Sequence, residues 1–373
     1  MHPARSPVTW ALAFVLLVGI DAAITRTSLL WGPTAFENSG GIRLVFPQTY
    51  QVLRKIYHAE RDAEVRVALL GNSRVVLGVK EAPLERAIHE IRPDLDVAVS
   101  NLGIFGSFIG DTQMLVRHLD PLDPSVVVLA VGAVDLMRAP TRPEGEGALS
   151  LLRVGWTDGP VGQATLGERL DRWARSVWRL YRFREFVREA LLDRVLGRED
   201  PGAPPEEFPS REALFAHLYG ERASAVAGAF RRWQREGGLD AYARYLETAS
   251  AGHLARGKQR AKSRAPLTRE TPSVVVLDAL LRDLAEAGRP AFVLLMPENP
   301  ILAEDVDGEF HRPGLADRAA GFVAELAAHH GIPVLDARAR LPTEAFLDFD
   351  HPVWDLGDLE RPLAQEIVDA VER

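Results

Sequence analysis

The sequence predicts an α/β protein with three layers, a parallel five-stranded sheet held between helices. Two observations carry this. Short runs of valine, leucine and isoleucine recur, each ending in polar or glycine residues, as strands covered on both faces do. Segments of helical periodicity separate them, and strand–helix alternation favours a parallel sheet with right-handed crossovers. The chain is long enough to bury such a core. It has 373 residues, 47% of them hydrophobic and 26% charged, which suits one large domain or two ordinary ones.

The first run, Val65–Leu70 (VRVALL), leads into Gly71-Asn72-Ser73-Arg74. The second, Asp96–Ser100 (DVAVS), leads into Asn101-Leu102-Gly103. The third, Val126–Val131 (VVVLAV), leads into Gly132-Ala133-Val134-Asp135. The fourth, Ala291–Met296 (AFVLLM), leads into Pro297-Glu298-Asn299-Pro300, and Pro333–Asp336 is a short fifth. Helices are expected over Leu84–Ile91, Asp111–Leu119, Ser273–Ala287, Leu315–His329 and the stretch after Gly357. Ligands of open parallel sheets bind beyond the carboxyl ends of the strands, where these polar segments lie.

Residues 139–271 break the alternation. Their arginine- and tryptophan-rich amphipathic stretches, Leu170–Leu196 and Arg211–Thr248, suggest a helical insertion between the third and fourth strands, over or beside the site. The insertion ends in a basic run, Arg256–Arg264, that suits a solvated loop or a contact with anionic headgroups.

The N-terminus suggests export. Ser6 to Thr25 holds one charge, Asp21, around the core Trp10–Ile20 (WALAFVLLVGI). Twenty helical residues span about 30 Å, the thickness of a bilayer's hydrocarbon core. Residues 1–26 are read as a membrane anchor or, alternatively, a cleaved signal segment. Residues 27–60 connect, and residues 61–373 form the folded domain. Either reading puts that domain outside the cytoplasm, on a single-pass anchor or secreted.

Composition removes other chemistries. The formal net charge of −8 argues against a globally basic nucleic-acid binder, and no nucleic-acid partner is expected. With no cysteine there is no disulfide scaffold, thiolate zinc site, iron–sulfur cluster or cysteine nucleophile. No metal or organic cofactor is expected.

Three segments fit acyl transfer. Ser73 follows the first strand, where a serine can present its hydroxyl while its backbone N–H faces the site, although serine also caps helices. His351 in Asp348-Phe349-Asp350-His351-Pro352 can act as a general base, with Asp348 three residues earlier orienting it and Asp350 as the rival carboxylate. Glycine-bearing turns after the second and third strands can bring backbone N–H donors close to an oxyanion.

In this order the segments resemble the SGNH (GDSL-type) hydrolase superfamily. That family places a nucleophilic serine in Gly-Asp/Asn-Ser, a glycine in a second block, Gly-x-Asn-Asp in a third and Asp-x-x-His before the last helix. Gly71-Asn72-Ser73 is similar to the first block, Asn101–Gly106 to the second and Asp348-x-x-His351 to the last, with Gly357 where a glycine often follows. The resemblance covers residues 65 to the end without the insertion. It implies a flavodoxin-like fold, Ser73, His351 and Asp348 as catalytic residues, and an oxyanion hole from the N–H groups of Ser73 and Gly106. Val134 stands where the family's oxyanion asparagine would be, which puts Asn72 or Asn101 forward as a replacement donor. A lost oxyanion donor costs about 2.7–4 kcal/mol of transition-state stabilisation. Arg74 is a candidate contact for an anionic substrate group or a structural ion pair, and Asp135 a support of the site's loops.

The departure in the third block resembles membrane-anchored bacterial cell-envelope members, similar to alginate O-acetyltransferases and the teichoic acid D-alanyl transfer protein. Three functions follow from the resemblance. One is an esterase removing acyl groups, acetyl foremost, from a glycan or small ester. The second is an O-acyltransferase served by a multi-span membrane partner. The third is an inactive glycan-binding homologue.

Overall fold

The computed structural model describes residues 12, 15–17, 19–21, 52–57, 63–137, 166–178, 210–249, 266–310, 312, 314–352 and 357–373. They contain five strands: β1 (Val65–Leu70), β2 (Val97–Asn101), β3 (Val126–Val131), β4 (Ala291–Leu295) and β5 (Val334–Asp336). The helices are α1 (Ser73–Gly78), α2 (Glu81–Ile91), α3 (Ile109–Val116), α4 (Ala133–Met137), α5 (Leu166–Val177), α6 (Arg211–Tyr219), α7 (Ala223–Glu236), α8 (Gly238–Ala249), α9 (Pro272–Glu286), α10 (Leu315–His329) and α11 (Gly357–Glu372).

All strand pairs are parallel, in the order β2-β1-β3-β4-β5. The chain moves outward from β1 to β2, then crosses back to β3 and continues the other way. Right-handed crossovers therefore place the connecting helices on opposite faces, with a switch point between β1 and β3. Alternate residues divide along each strand. Val65, Val67 and Leu69 of β1, Val126 and Val128 of β3 and Phe292 and Leu294 of β4 form one core with Leu84 and Ile88 of α2 and Leu359, Leu363 and Ile367 of α11. Ala68, Leu70, Val127, Leu129, Val131 and Val293 point the other way and are equally buried. α9 and α10 pack against each other and bury Leu277, Leu280, Leu281, Ala319 and Val323. On the outer edge of β2, Glu81 and Glu85 accept the N–H groups of Asn101 and Val99, which keeps that edge from pairing with another chain.

The chain divides into two compact units. One, Glu64–Gln113, Pro124–Thr141 and Pro204–Arg373, carries the sheet. The other is Met1–Ala63, Met114–Asp123 and Arg142–Ala203. The insertion expected at 139–271 is thus shared: its first part groups with the N-terminal residues and its second with the sheet. In that second part α6, α7 and α8 have an apolar core of their own, built from Phe215, Phe230, Trp233, Tyr242 and Tyr245. The rings meet mainly edge to face, as for Phe230 and Tyr245 at 5.3 Å.

Most of the apolar segment 6–25 lies outside the described residues, as do residues 179–196 and the basic run 256–264. Residues 12, 15–17 and 19–21 are helical, with Leu12, Val15 and Leu16 exposed. Among the described residues no helix is long and apolar enough to cross a membrane.

Phe292 is fully buried at the centre of the sheet. Phe292→Ala should lower the unfolding free energy by about 3–5 kcal/mol in denaturant titrations.

Candidate active site

β1 ends at Gly71, and α1 begins two residues later. Asn72 is the N-cap: its side-chain oxygen accepts the Arg74 N–H at 2.8 Å. Ser73 is thereby relieved of capping and sits at the first helical position, where a backbone N–H has no acceptor within the helix. Its Oγ lies 2.8 Å from His351 Nε2.

His351 comes from a short turn before α11. Leu347 N–H donates to the His351 carbonyl at 2.8 Å, and Phe346 bridges Pro352. Inside this turn Asp348 Oδ1 accepts the N–H groups of Asp350 (2.8 Å) and His351 (2.9 Å). That Asx-type closure turns the His351 ring back onto the carboxylate, with Nδ1 2.9 Å from both oxygens. An ionised carboxylate only accepts, so Nδ1 carries the proton and Nε2 is left to accept from Ser73 O–H. Burial works to lower the His351 pKa. The hydrogen bond and charge of Asp348, helped by Asp350, outweigh burial and the opposing Arg74 charge, and the pKa lies above the usual histidine value. Of the two candidate carboxylates it is Asp348 that meets Nδ1, while the backbone of Asp350 donates its N–H to Asp348 and accepts from Arg74 at its carbonyl.

Arg74 is 1% exposed and, of its two readings, takes the structural ion pair. Its Nε donates to the Asp350 carbonyl at 2.8 Å, Nη1 pairs with Glu298 at 3.2 Å, and Nη2 donates to the Pro297 carbonyl. One guanidinium thus joins α1, the loop after β4 and the histidine turn. Burial would lower its pKa, but Glu298, Asp350 and Asp135 hold it raised, so the charge persists. Gly132 makes room for it: a Cβ there would stand 1.8 Å from Arg74 Nη1. Gly78 plays the same part toward the histidine turn, where a Cβ would meet Pro352 Cγ at 2.9 Å.

The replacement oxyanion donors expected from the sequence are engaged elsewhere. Asn101 Nδ2 donates to the carbonyls of Val75 (2.9 Å) and Val79 (2.7 Å), closing the end of α1. Asn72 Nδ2 donates to Asp135 Oδ1, while Asp135 Oδ2 accepts Gly132 N–H at 2.9 Å. Asp135 therefore ties the β1 and β3 loops together, as expected, and Val134 is buried beside it. The β2 loop is fastened to Gly71: Ile104 N–H (3.1 Å) and Ser107 Oγ (3.2 Å) both donate to the Gly71 carbonyl. This loop carries Gly106 in a left-handed conformation, φ 68°, beside exposed Phe105.

Sequence reasoning missed three supporting residues. Tyr242 of α8 and Asn299 both donate to the Asp348 carbonyl, at 3.1 and 3.2 Å. Burial, then the charges of Tyr245 and Asp348, push the Tyr242 phenol well above its usual pKa, which keeps it a donor. Glu298 accepts from Arg74 and, at 3.4 Å, from Ala133 N–H. The segment 297–300 stood out as polar at a strand end, but nothing in the sequence pairs Tyr242 with it. Among the described residues no group of three His, Asp or Glu is placed to hold a metal ion.

No known protein family and no curated protein matches the chain. Among solved structures it is similar to LAE5, an alpha/beta hydrolase enzyme from the metagenome of Lake Arreo, Spain, with 12% identity and a TM-score of 0.37. That match covers 83% of this chain and 96% of the other. A likeness at this level carries no argument, and the reading of the site rests on its own geometry.

Breaking a buried ion pair by removing one partner costs about 3–5 kcal/mol. Arg74→Met should lose that much in denaturant unfolding. Glu298→Gln should lose less, since the amide still accepts and the cation keeps two carbonyls.

Proposed function

We propose that the protein is a serine ester hydrolase of the SGNH type, acting outside the cytoplasm on acyl esters of a glycan, acetyl foremost. The supporting observation is the continuous hydrogen-bond chain Ser73 Oγ–His351 Nε2 and His351 Nδ1–Asp348, at 2.8 and 2.9 Å. Nucleophile, base and orienting acid are each within reach of the next, and all stand at the carboxyl edge of a parallel sheet beside its switch point.

Ser73 Oγ attacks the ester carbonyl as its proton passes to His351 Nε2. The imidazolium is stabilised by Asp348 and gives the proton to the departing sugar oxygen, leaving an acyl group on Ser73. Water, deprotonated by the same nitrogen, attacks the acyl-enzyme. The acid leaves and Ser73 Oγ recovers its proton. The N–H groups of Ser73 and Gly106 are the proposed oxyanion donors. Val134 supplies none, so turnover should fall below that of a site with a third donor by the equivalent of about 2.7–4 kcal/mol.

A second reading is an O-acyltransferase of the cell envelope, in which a sugar hydroxyl replaces water and a multi-span membrane partner supplies the acyl group. The exposed apolar side chains of Leu12, Val15 and Leu16, within a segment nearly free of charge, favour residence at a membrane where such a partner would be met.

Hydrolysis of p-nitrophenyl acetate by the full chain tests the shared chemistry. Ser73→Ala should lose at least about 10³-fold in kcat/KM. No activity in the wild type, or equal activity in the variant, would leave the inactive glycan-binding homologue. Partition of the acyl group between water and an added oligosaccharide separates hydrolase from transferase.

The base must be neutral to act, so activity rises with pH through the His351 pKa. Because that pKa is raised, the acid limb of kcat/KM should lie above about pH 6.5. Asp348→Asn removes the charge holding it up. The limb should move to lower pH while the plateau falls steeply.

A further inference from the structure

Helix α5 turns its apolar side toward solvent. Leu166, Leu170 and Trp173 recur at intervals of four and three, which aligns them in one stripe. Five charged residues, Glu168, Arg169, Asp171, Arg172 and Arg175, fall at other positions of the helix sequence. In water such a helix should bury its stripe and expose its arginines. Here Leu166 is 67% exposed, Leu170 50% and Trp173 54%, with Trp178 just beyond at 41%, while Arg169 is partly buried.

We propose that this face of α5 lies in the interfacial layer of a membrane bearing anionic lipids. Four features fit a lipid surface. The stripe pairs leucine with tryptophan, whose indole settles at the headgroup boundary. The helix sequence carries three arginines against two acids, a local excess of positive charge in a chain of net −8. Helices of this kind lie in the interface plane, apolar side inward, and gain affinity from anionic headgroups. Finally, α5 belongs to the same compact unit as the N-terminal residues, whose exposed Leu12, Val15, Leu16, Leu17 and Ile20 form a second apolar surface. One weak lipid contact gives marginal attachment, and two together give a stable one. The inference is independent of the esterase reading and concerns only how the chain is held.

The chain has no cysteine, so a single introduced thiol is unique. Leu170→Cys in the full chain, carrying the environment-sensitive dye NBD, reports on the stripe. Arg231→Cys, exposed on α7, is the control. Circular dichroism checks that both labelled chains keep the wild-type fold. On vesicles of phosphatidylcholine with 30% phosphatidylglycerol, emission from position 170 should rise several-fold and shift to the blue. A doxyl-labelled lipid should quench it, with smaller effects on pure phosphatidylcholine and none at position 231. Two results overturn the proposal. One is water-like emission at position 170 with vesicles present. The other is high emission before vesicles are added, which would mean that protein, from this chain or a second copy, already covers the stripe.

Discussion

The guanidinium of Arg74 is the interaction on which the geometry of the site depends. It sits one residue after Ser73 and is almost wholly buried, with its donors spread over the Asp350 carbonyl, the Pro297 carbonyl and Glu298. Those partners come from two segments, one 276 residues away and the other 223 and 224 residues away. A buried cation that lost one of them would keep its desolvation penalty with less to offset it, so the loop after β4 and the histidine turn are held in one arrangement against α1. Gly132 is part of the same constraint, because any side chain there would occupy the guanidinium's space.

The histidine turn is held from three sides. Arg74 grips the Asp350 carbonyl, Pro352 packs on Gly78, and Tyr242 with Asn299 fixes the Asp348 carbonyl. The latter grip shows what the second part of the insertion contributes. α6, α7 and α8 form an aromatic cluster that also takes in Phe349, which meets Tyr242 edge to face at 5.6 Å. The insertion thereby stiffens the loop whose acid orients His351. Such rigidity suits a dyad whose two members lie 278 residues apart and must hold a 2.8 Å contact.

The strands were legible because parallel strands covered on both faces need unbroken valine, leucine and isoleucine, a demand written locally in the chain. Ser73, Asp348 and His351 were legible for a related reason. Each lies in a short segment whose backbone turn is set by its own neighbours: an asparagine cap before Ser73, and an Asx-type closure between Asp348 and His351. The groups that fix these segments to one another were not legible. Tyr242 looks like any aromatic residue on an amphipathic helix. Arg74 next to a serine reads as a structural ion pair before it reads as a substrate contact, but the sequence does not say with which acid, and its burial assigns it to the frame. Asn101 stands at a strand end as an oxyanion donor would, yet it donates to the carbonyls of Val75 and Val79 at the end of α1 instead. Partners that lie far off in the chain, 106 residues away for Tyr242 and 276 for Arg74, leave no mark on either local sequence.

The most direct test of the central claim is where a mechanism-based probe attaches. A fluorophosphonate ester incubated with the full chain should add one phosphonyl group, and tandem mass spectrometry should place it on Ser73. His351→Ala should label far more slowly, since the hydroxyl then has no base. Label on another residue, or wild-type labelling no faster than in His351→Ala, would contradict the account.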